Sequence, residues 1–329
     1  MEKLSPLPEA PRTNRARELL LSTTVLWGLS FPLVRGLELA QKGVMPSISD
    51  EALVCADMTI RFGFAALLFL PFYARHLTSI TAREWSQSLG LAGFAGAGLY
   101  LQTLGLSWTD ASVSAFLTQL YTLIVPLIVA LRDRRMPSAR VVMACGLVLA
   151  GVALLSPNFL AHFTLGPGEI ITALGAGFFA CQIVWVERPI YAENRSGLVT
   201  LLMFSLLGIM FSIAYLSTGS PLSKVPFLFG TPILWELILA VVLLCTVFTF
   251  YVMNRWQHHV TATEAGLIYC LEPVFATVIS SFLPGWISAQ AGISYPNEIL
   301  RWTLLVGGLF IVAATLLVAT EKRPTSPAS

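Results

Sequence analysis

Thr261-Ala-Thr-Glu-Ala-Gly-Leu-Ile-Tyr-Cys-Leu-Glu-Pro-Val-Phe-Ala276 opens an apolar run that sets an acid, Glu272, about halfway along a segment long enough to cross a bilayer. An ionisable group at mid-depth disfavours insertion by roughly 2.5 to 3.5 kcal/mol, so it usually faces a partner or a wet cavity rather than lipid. Pro273 comes next. It has no N–H for the carbonyl of Tyr269, which leaves a free backbone acceptor one turn below the acid. Acid and proline together mark a site inside a membrane-spanning helix.

The rest of the chain has the same character. Of its 329 residues 56% are hydrophobic and 12% charged, with a mean hydropathy of +0.75. A soluble domain carries about 25% charged residues, so composition alone predicts an integral membrane protein. Apolar runs fall at 18–35, 54–73, 86–106, 111–131, 138–156, 168–187, 198–217, 233–254, 261–283 and 299–319. Each is near the ~20 residues a helix needs to span ~30 Å of hydrocarbon, which predicts an all-α fold of ten transmembrane helices with the lipid bilayer as its first partner. The longest polar connections expected, Gly36 to Val54 and Phe282 to Glu298, leave no room for a soluble catalytic or nucleic-acid-binding domain. A net charge of +2 says nothing about partners.

Lys and Arg are retained on the cytoplasmic side during insertion. Counting them in alternate connections gives fifteen on one side and five on the other (Arg35, Lys42, Arg61, Lys224, Arg301), which predicts both termini in the cytoplasm. Residues 1–17 and 321–329 are then cytoplasmic tails, and the first apolar run reads as a retained helix without a cleavage site. Cys55, Cys145, Cys181, Cys245 and Cys270 show no Cys-x-x-Cys spacing. They read as packing residues, and no cofactor or metal is expected.

The fourth and ninth runs can be laid over each other with Ala111 on Ala262, Ser112 on Thr263, Leu120 on Leu271, Tyr121 on Glu272 and Thr122 on Pro273. Each holds a proline near or just past its middle, Pro126 and Pro273, and each is followed by a Gly-Leu-containing run. A unit of five helices repeated once starts from opposite faces of the membrane. Residues 18–157 and 168–320 are therefore expected to be two inverted five-helix repeats, an architecture that places binding sites near the midplane at interrupted helices.

Trp27-Gly-Leu-Ser-Phe-Pro-Leu-Val-Arg35, Arg61-Phe and the run opening at Thr261 resemble the first, second and ninth helices of the EamA-like family of the drug/metabolite transporter superfamily. The resemblance covers about residues 18–320. It implies a secondary transporter that moves a small polar or amphipathic solute, amino-acid-like or drug-like, outward across a bacterial cytoplasmic membrane by alternating access. It also implies that helices one, three, four, six, eight and nine surround a central cavity.

Seven of the eight tryptophans lie near run ends, as membrane-interface residues do. Trp27 lies mid-run beside Gly28, whose carbonyl is freed by Pro32. It reads either as a packing residue at a kink or as a wall of a cavity. Tyr100, Gln102, Gln119, Tyr121, Gln182, Tyr251 and Tyr269 are the other mid-depth polar groups. Any one of them could simply bond across helices, but together they fall in the helices that the resemblance places around the cavity. Pro32, Pro126 and Pro273 are the expected helix breaks.

Glu272 reads either as a buried acid kept neutral by desolvation, or as a group that binds a cationic solute or carries a proton as coupling ion. Arg61 has Asp57 one turn before it for local pairing. Glu264 reads as an interfacial acid, and His258-His259 as a poor metal site. The rival reading, a membrane-embedded enzyme acting on a lipid-linked substrate, would need a convergent acid, base, nucleophile or metal cluster, and no such motif is present in the sequence.

Overall fold

The computed structural model of the chain describes residues 9–134, 136–155, 166–299 and 302–319, and the tail expected at 321–329 lies outside them. Among the described residues the regular structure is all helical. Among the described residues seven helices are long and apolar enough to cross a membrane: Arg12–Val44, Asp50–Ser79, Ala82–Leu106, Pro167–Glu187, Ser196–Ser217, Pro232–His259 and Ala262–Ser280. Their outward faces carry large apolar side chains such as Phe72, Leu174 and Ile213, each more than half exposed. So much bare apolar surface suits acyl chains rather than water.

In chain order the helices are α1 (Glu9–Val44), α2 (Asp50–Tyr73), α3 (Ala82–Leu106), α4 (Ala111–Thr118), α5 (Tyr121–Asp133), α6 (Ala139–Leu155), α7 (Pro167–Glu187) and α8 (Ser196–Ser217). Then come α9 (Pro232–Val242), a π-helical turn (Leu243–Phe248), α10 (Thr249–Trp256), α11 (Ala262–Tyr269), α12 (Glu272–Ser280), α13 (Leu283–Ala291) and α14 (Trp302–Ala319). The run expected at 111–131 is thus two short helices with a turn at Gln119-Leu120, and the run at 261–283 is broken at Cys270-Leu271. α4 and α11 are both eight residues long.

Two expected connections shrink. α1 runs on to Val44 and α2 starts at Asp50, and the segment after α12 folds into α13. The chain continues as helix past Gly36 because Leu37 and Ala40 pack into the core, while Glu38 and Gln41 turn inward and are fully buried. Polar residues that read as solvent-facing lie inside the bundle.

α3 runs along α7, and α1 along α9 and α10. α1 also meets α11 and α12, as α7 meets α4 and α5; α2 pairs with α8 and α6 with α14. Small residues set the closest approaches: a Cβ on Gly175 would lie 3.0 Å from the carbonyl oxygen of Gly98 on the facing helix. The largest aromatic cluster sits where α2, α8 and α10 converge. There Phe62 packs 6.0 Å from Phe204 and 6.2 Å from both Phe211 and Phe250.

Candidate functional site

The broken helices meet each other at their breaks. α5 packs on α11 and α4 on α12, so Gln119 in one turn reaches Glu272 at the start of the helix after the other. Gln119 Nε2 donates to Glu272 Oε2 at 3.1 Å and also to the carbonyl of Ala115 at 3.3 Å. Glu272 is 6% exposed. At both breaks the backbone closes into tight turns, with Leu120 N donating to the carbonyl of Leu117 at 3.1 Å and Leu271 N to that of Ile268 at 3.2 Å.

Glu272 opens onto a cavity with about 700 Å³ of empty space counted out to its open side, of which about 70 Å³ takes the centres of water-sized molecules. That is room for on the order of five waters. Trp27, Gln102, Tyr121, Gln182, Tyr269 and Glu272 all line it, joined by Ser30, Arg61, Thr103, Thr118, Phe179 and Phe250. Its walls come from α1, α2, α3, α4, α5, α7, α10, α11 and α12, so both halves of the chain contribute.

Two aromatic walls are fixed from behind. Trp27 stands edge-on to Tyr269 at 5.1 Å and to Phe250 at 5.9 Å. The Tyr269 hydroxyl donates to Gln257 Oε1 at 3.0 Å, and Gln257 Nε2 donates to the carbonyl of Ile183 on α7 at 2.8 Å. Gln257 is fully buried. Its place in a Gln-His-His stretch between helices gave sequence reasoning no signal. The Tyr121 hydroxyl is buried with no hydrogen-bond partner among the described residues. Gln102 Nε2 donates to Thr118 Oγ1 at 2.9 Å at the end of α4.

Arg61 is not held by Asp57. Its Nε donates to Thr246 Oγ1 and its Nη2 to the carbonyl of Cys245 at 3.2 Å, both within the π-helical turn. The wider turn lets Thr246 Oγ1 donate to the carbonyl of Val241, five residues back, at 2.9 Å. Asp57 accepts instead from Gln41 Nε2 at 2.6 Å. The cavity therefore holds one guanidinium and one carboxyl group, each bonded to neutral groups.

The remaining candidates lie elsewhere. Tyr100 is half-buried against the core, and Tyr251 stands edge-on to Phe69 at 5.7 Å; neither lines the cavity. Glu264 accepts from Arg17 Nε at 2.5 Å. Pro273 sits in the first turn of α12, directly after a break. Pro32 and Pro126 do not break their helices: α1 and α5 run through them. The carbonyl that Pro126 leaves free, that of Thr122, accepts from Cys145 Sγ at 3.8 Å, so the helix continues with its orphan acceptor supplied from α6.

α1 reaches the site because residue 28 is glycine. A Cβ there would come within 2.8 Å of the Glu272 carbonyl oxygen, 2.8 Å of Phe275 Cβ and 2.9 Å of the Ala276 amide nitrogen. These are backbone or near-backbone atoms that cannot swing away. Gly28→Ala is expected to push α1 off α12 and destabilise the protein by about 1–3 kcal/mol, read as a lower melting temperature in detergent. Gly63→Ala, where nothing lies within 4 Å, is expected to leave it unchanged or slightly higher.

Residues 18–156 match the sequence model of the EamA-like transporter family. A protein of Archaeoglobus fulgidus described as an uncharacterized transporter is 26% identical over 311 residues, covering 91% of this chain and 84% of the relative. A solved crystal structure 16% identical to the chain has a TM-score of 0.61 and covers 92% of this chain and 99% of that one. At that identity the likeness speaks for the fold alone.

Proposed function

Starting from a multi-pass membrane transporter with an EamA-like first half, we propose that it is a secondary transporter moving a small zwitterionic or cationic amphipathic solute, amino-acid-like or drug-like, outward by alternating access. Ten spans arranged as two inverted five-helix repeats with both termini in the cytoplasm are part of this reading. The helix pairings support it. Exchanging each helix for its counterpart five spans on maps α3 with α7 onto α9 and α10 with α1, and α1 with α11 and α12 onto α7 with α4 and α5. The pairs α2 with α8 and α6 with α14 map onto themselves. The two breaks fall in one register, with helix to 118 and from 121 in one copy and to 269 and from 272 in the other.

The observation that carries the proposal is the cavity between the halves, which joins Glu272 and Arg61 to the aromatic faces of Trp27, Tyr269 and Phe250. A carboxyl group receives an ammonium, a guanidinium receives a carboxylate, and rings receive an apolar side chain. Bistable packing of two similar halves around such a site is what alternating access requires. The test is a solute screen on purified protein in proteoliposomes: amino acids and amphipathic amines are expected to cross chemically unchanged. Conversion of the solute would favour the enzyme reading, and absence of flux for every zwitterion and amine would remove the proposed solute class.

A further inference from the structure

Beyond the cavity, toward the α1–α2 connection, lies a second buried polar cluster. Glu38 is 1% exposed and Gln41 fully buried on α1, and Asp57 is buried on α2. Gln41 Nε2 donates to Asp57 Oδ1, which fixes the amide and turns its Oε1 away, and that oxygen has no hydrogen-bond partner among the described residues. Glu38 Oε2 accepts from Ser107 Oγ at 3.2 Å and lies 3.5 Å from Arg35 Nη1, while Glu38 Oε1 has no partner among the described residues.

Glu38 and Gln41, three residues apart on α1, lie on one helix face, and each carries a buried acceptor oxygen without a partner among the described residues. Each, left unsatisfied, costs about 1–3 kcal/mol. A carboxylate and an amide oxygen cannot satisfy one another. A single proton on Glu38 Oε1 would turn that atom into a donor, for which Gln41 Oε1 on the same helix face is an acceptor in want of a partner.

The charged and titratable groups facing Glu38 are Arg35 on its own helix, Asp50 and Asp57 on α2, and Tyr295 in the segment after α13. Arg35 is partly exposed and also donates to the carbonyl of Ser107 at 2.9 Å. Asp50 is engaged by Lys42 and by Trp108 Nε1. Two acids on the facing helix and one shared, partly solvated arginine leave a full charge on Glu38 poorly compensated.

We propose that Glu38 is a proton-binding group, separate from the solute cavity, and that its protonation couples solute movement to a pH gradient. The proposal rests on the transport reading above. In each cycle one proton from the aqueous phase joins the Glu38 carboxylate on one side of the membrane and leaves to water on the other, as one solute moves the opposite way. The coupling path is contiguous: Glu38 lies one turn beyond Val34, which lines the cavity, and Gln41 ties α1 to Asp57, one turn from Arg61, which also lines it. Making or losing the Glu38–Gln41 bond changes how α1 is held against α2, two of the helices that wall the solute site.

The reconstituted full chain is examined first without solute, by infrared difference spectroscopy across pH. A protonated-carboxyl C=O band is expected that vanishes in Glu38→Gln, persists in Glu272→Gln and moves to higher frequency in Gln41→Leu, which removes the acceptor but keeps both acids. A band unchanged by Glu38→Gln and Gln41→Leu overturns the proposal. If Glu38→Gln does not fold, the Gln41→Leu shift decides alone.

In proteoliposomes, with an amino acid or amine from the screen, Glu38→Gln is expected to lose pH-gradient-driven movement by roughly tenfold or more, within the range of site-to-site coupling energies. Exchange without a gradient should stay within about twofold. Driven movement that follows a sodium gradient and ignores pH also overturns the proposal. Finding the band but no solute flux for any compound would instead count against the transport reading, which keeps the two failures apart.

Discussion

Glu272→Gln is expected to lower flux of a cationic or zwitterionic solute by about tenfold to a hundredfold, because a hydrogen bond to a charged group contributes about 1.5–3 kcal/mol and each 1.4 kcal/mol is a factor of ten. The substitution is close to isosteric. Its amide oxygen can still accept from Gln119 Nε2, which lies 3.1 Å from the present carboxyl oxygen, so the contact between the two helix breaks survives. Only the capacity to carry negative charge in the cavity is lost. The folded protein should be no less stable, since a neutral amide at a 6% exposed position costs less to bury than a carboxylate. Two measurements check this: initial flux into proteoliposomes, and melting temperature in detergent with and without the solute, which stabilises the fold only where it binds. Wild-type flux over a wide pH range together with an undiminished solute-induced shift would show that Glu272 does not contact the solute. A carboxyl group with a purely structural role would show the opposite pattern, with stability moving and the solute response intact.

The positions of the helices and the register of the two helix breaks were legible in the sequence, and the direction in which side chains face was not. Apolar run length fixes where helices form, and the overlay of Leu120 on Leu271 and Tyr121 on Glu272 falls on the two turns where the helices stop and restart. Azimuth is harder. In a soluble helix a polar stripe marks the outside, but in lipid both the packed and the outward faces are apolar, so Tyr100 and Tyr251 read in the sequence like Tyr121 and Tyr269 without lining the cavity. Proline was also a weaker signal than expected: a helix runs through Pro126 where a neighbouring thiol supplies the missing bond. Glu38, Gln41 and Gln257 were missed because they fall in stretches that read as polar connections, yet all three are buried and bonded across helices. Arg61 was seen, but its anchor was not. The π-helical turn that receives it carries no proline or glycine within Leu243–Phe248 to announce it.

Arg61 gives the second large effect, and a double substitution separates its two roles. Arg61→Gln removes the cation that sits one turn from buried Asp57, leaving that carboxylate with Gln41 as its hydrogen-bond donor. The two charges are not bonded to each other, but coupled buried neighbours interact by about 0.5–3 kcal/mol, so the melting temperature should fall. The anchor itself contributes less to that loss. Thr246 Oγ1 still donates to the carbonyl of Val241, and the carbonyl of Cys245 still accepts from Thr249 Oγ1 at 2.8 Å. Asp57→Asn combined with Arg61→Gln takes out both charges, and stability should recover most of what Arg61→Gln loses, because the uncompensated Asp57 charge is then gone. Flux of a zwitterion should not return, because the cavity then has no cation for the solute's carboxylate. An amine lacking a carboxylate is expected to be moved by the double variant at a rate much closer to wild type. Recovery of stability together with recovery of zwitterion flux would reduce Arg61 to a structural ion. Recovery of neither would mean that its hold on the π-helical turn, and not its charge, sets the shape of the cavity.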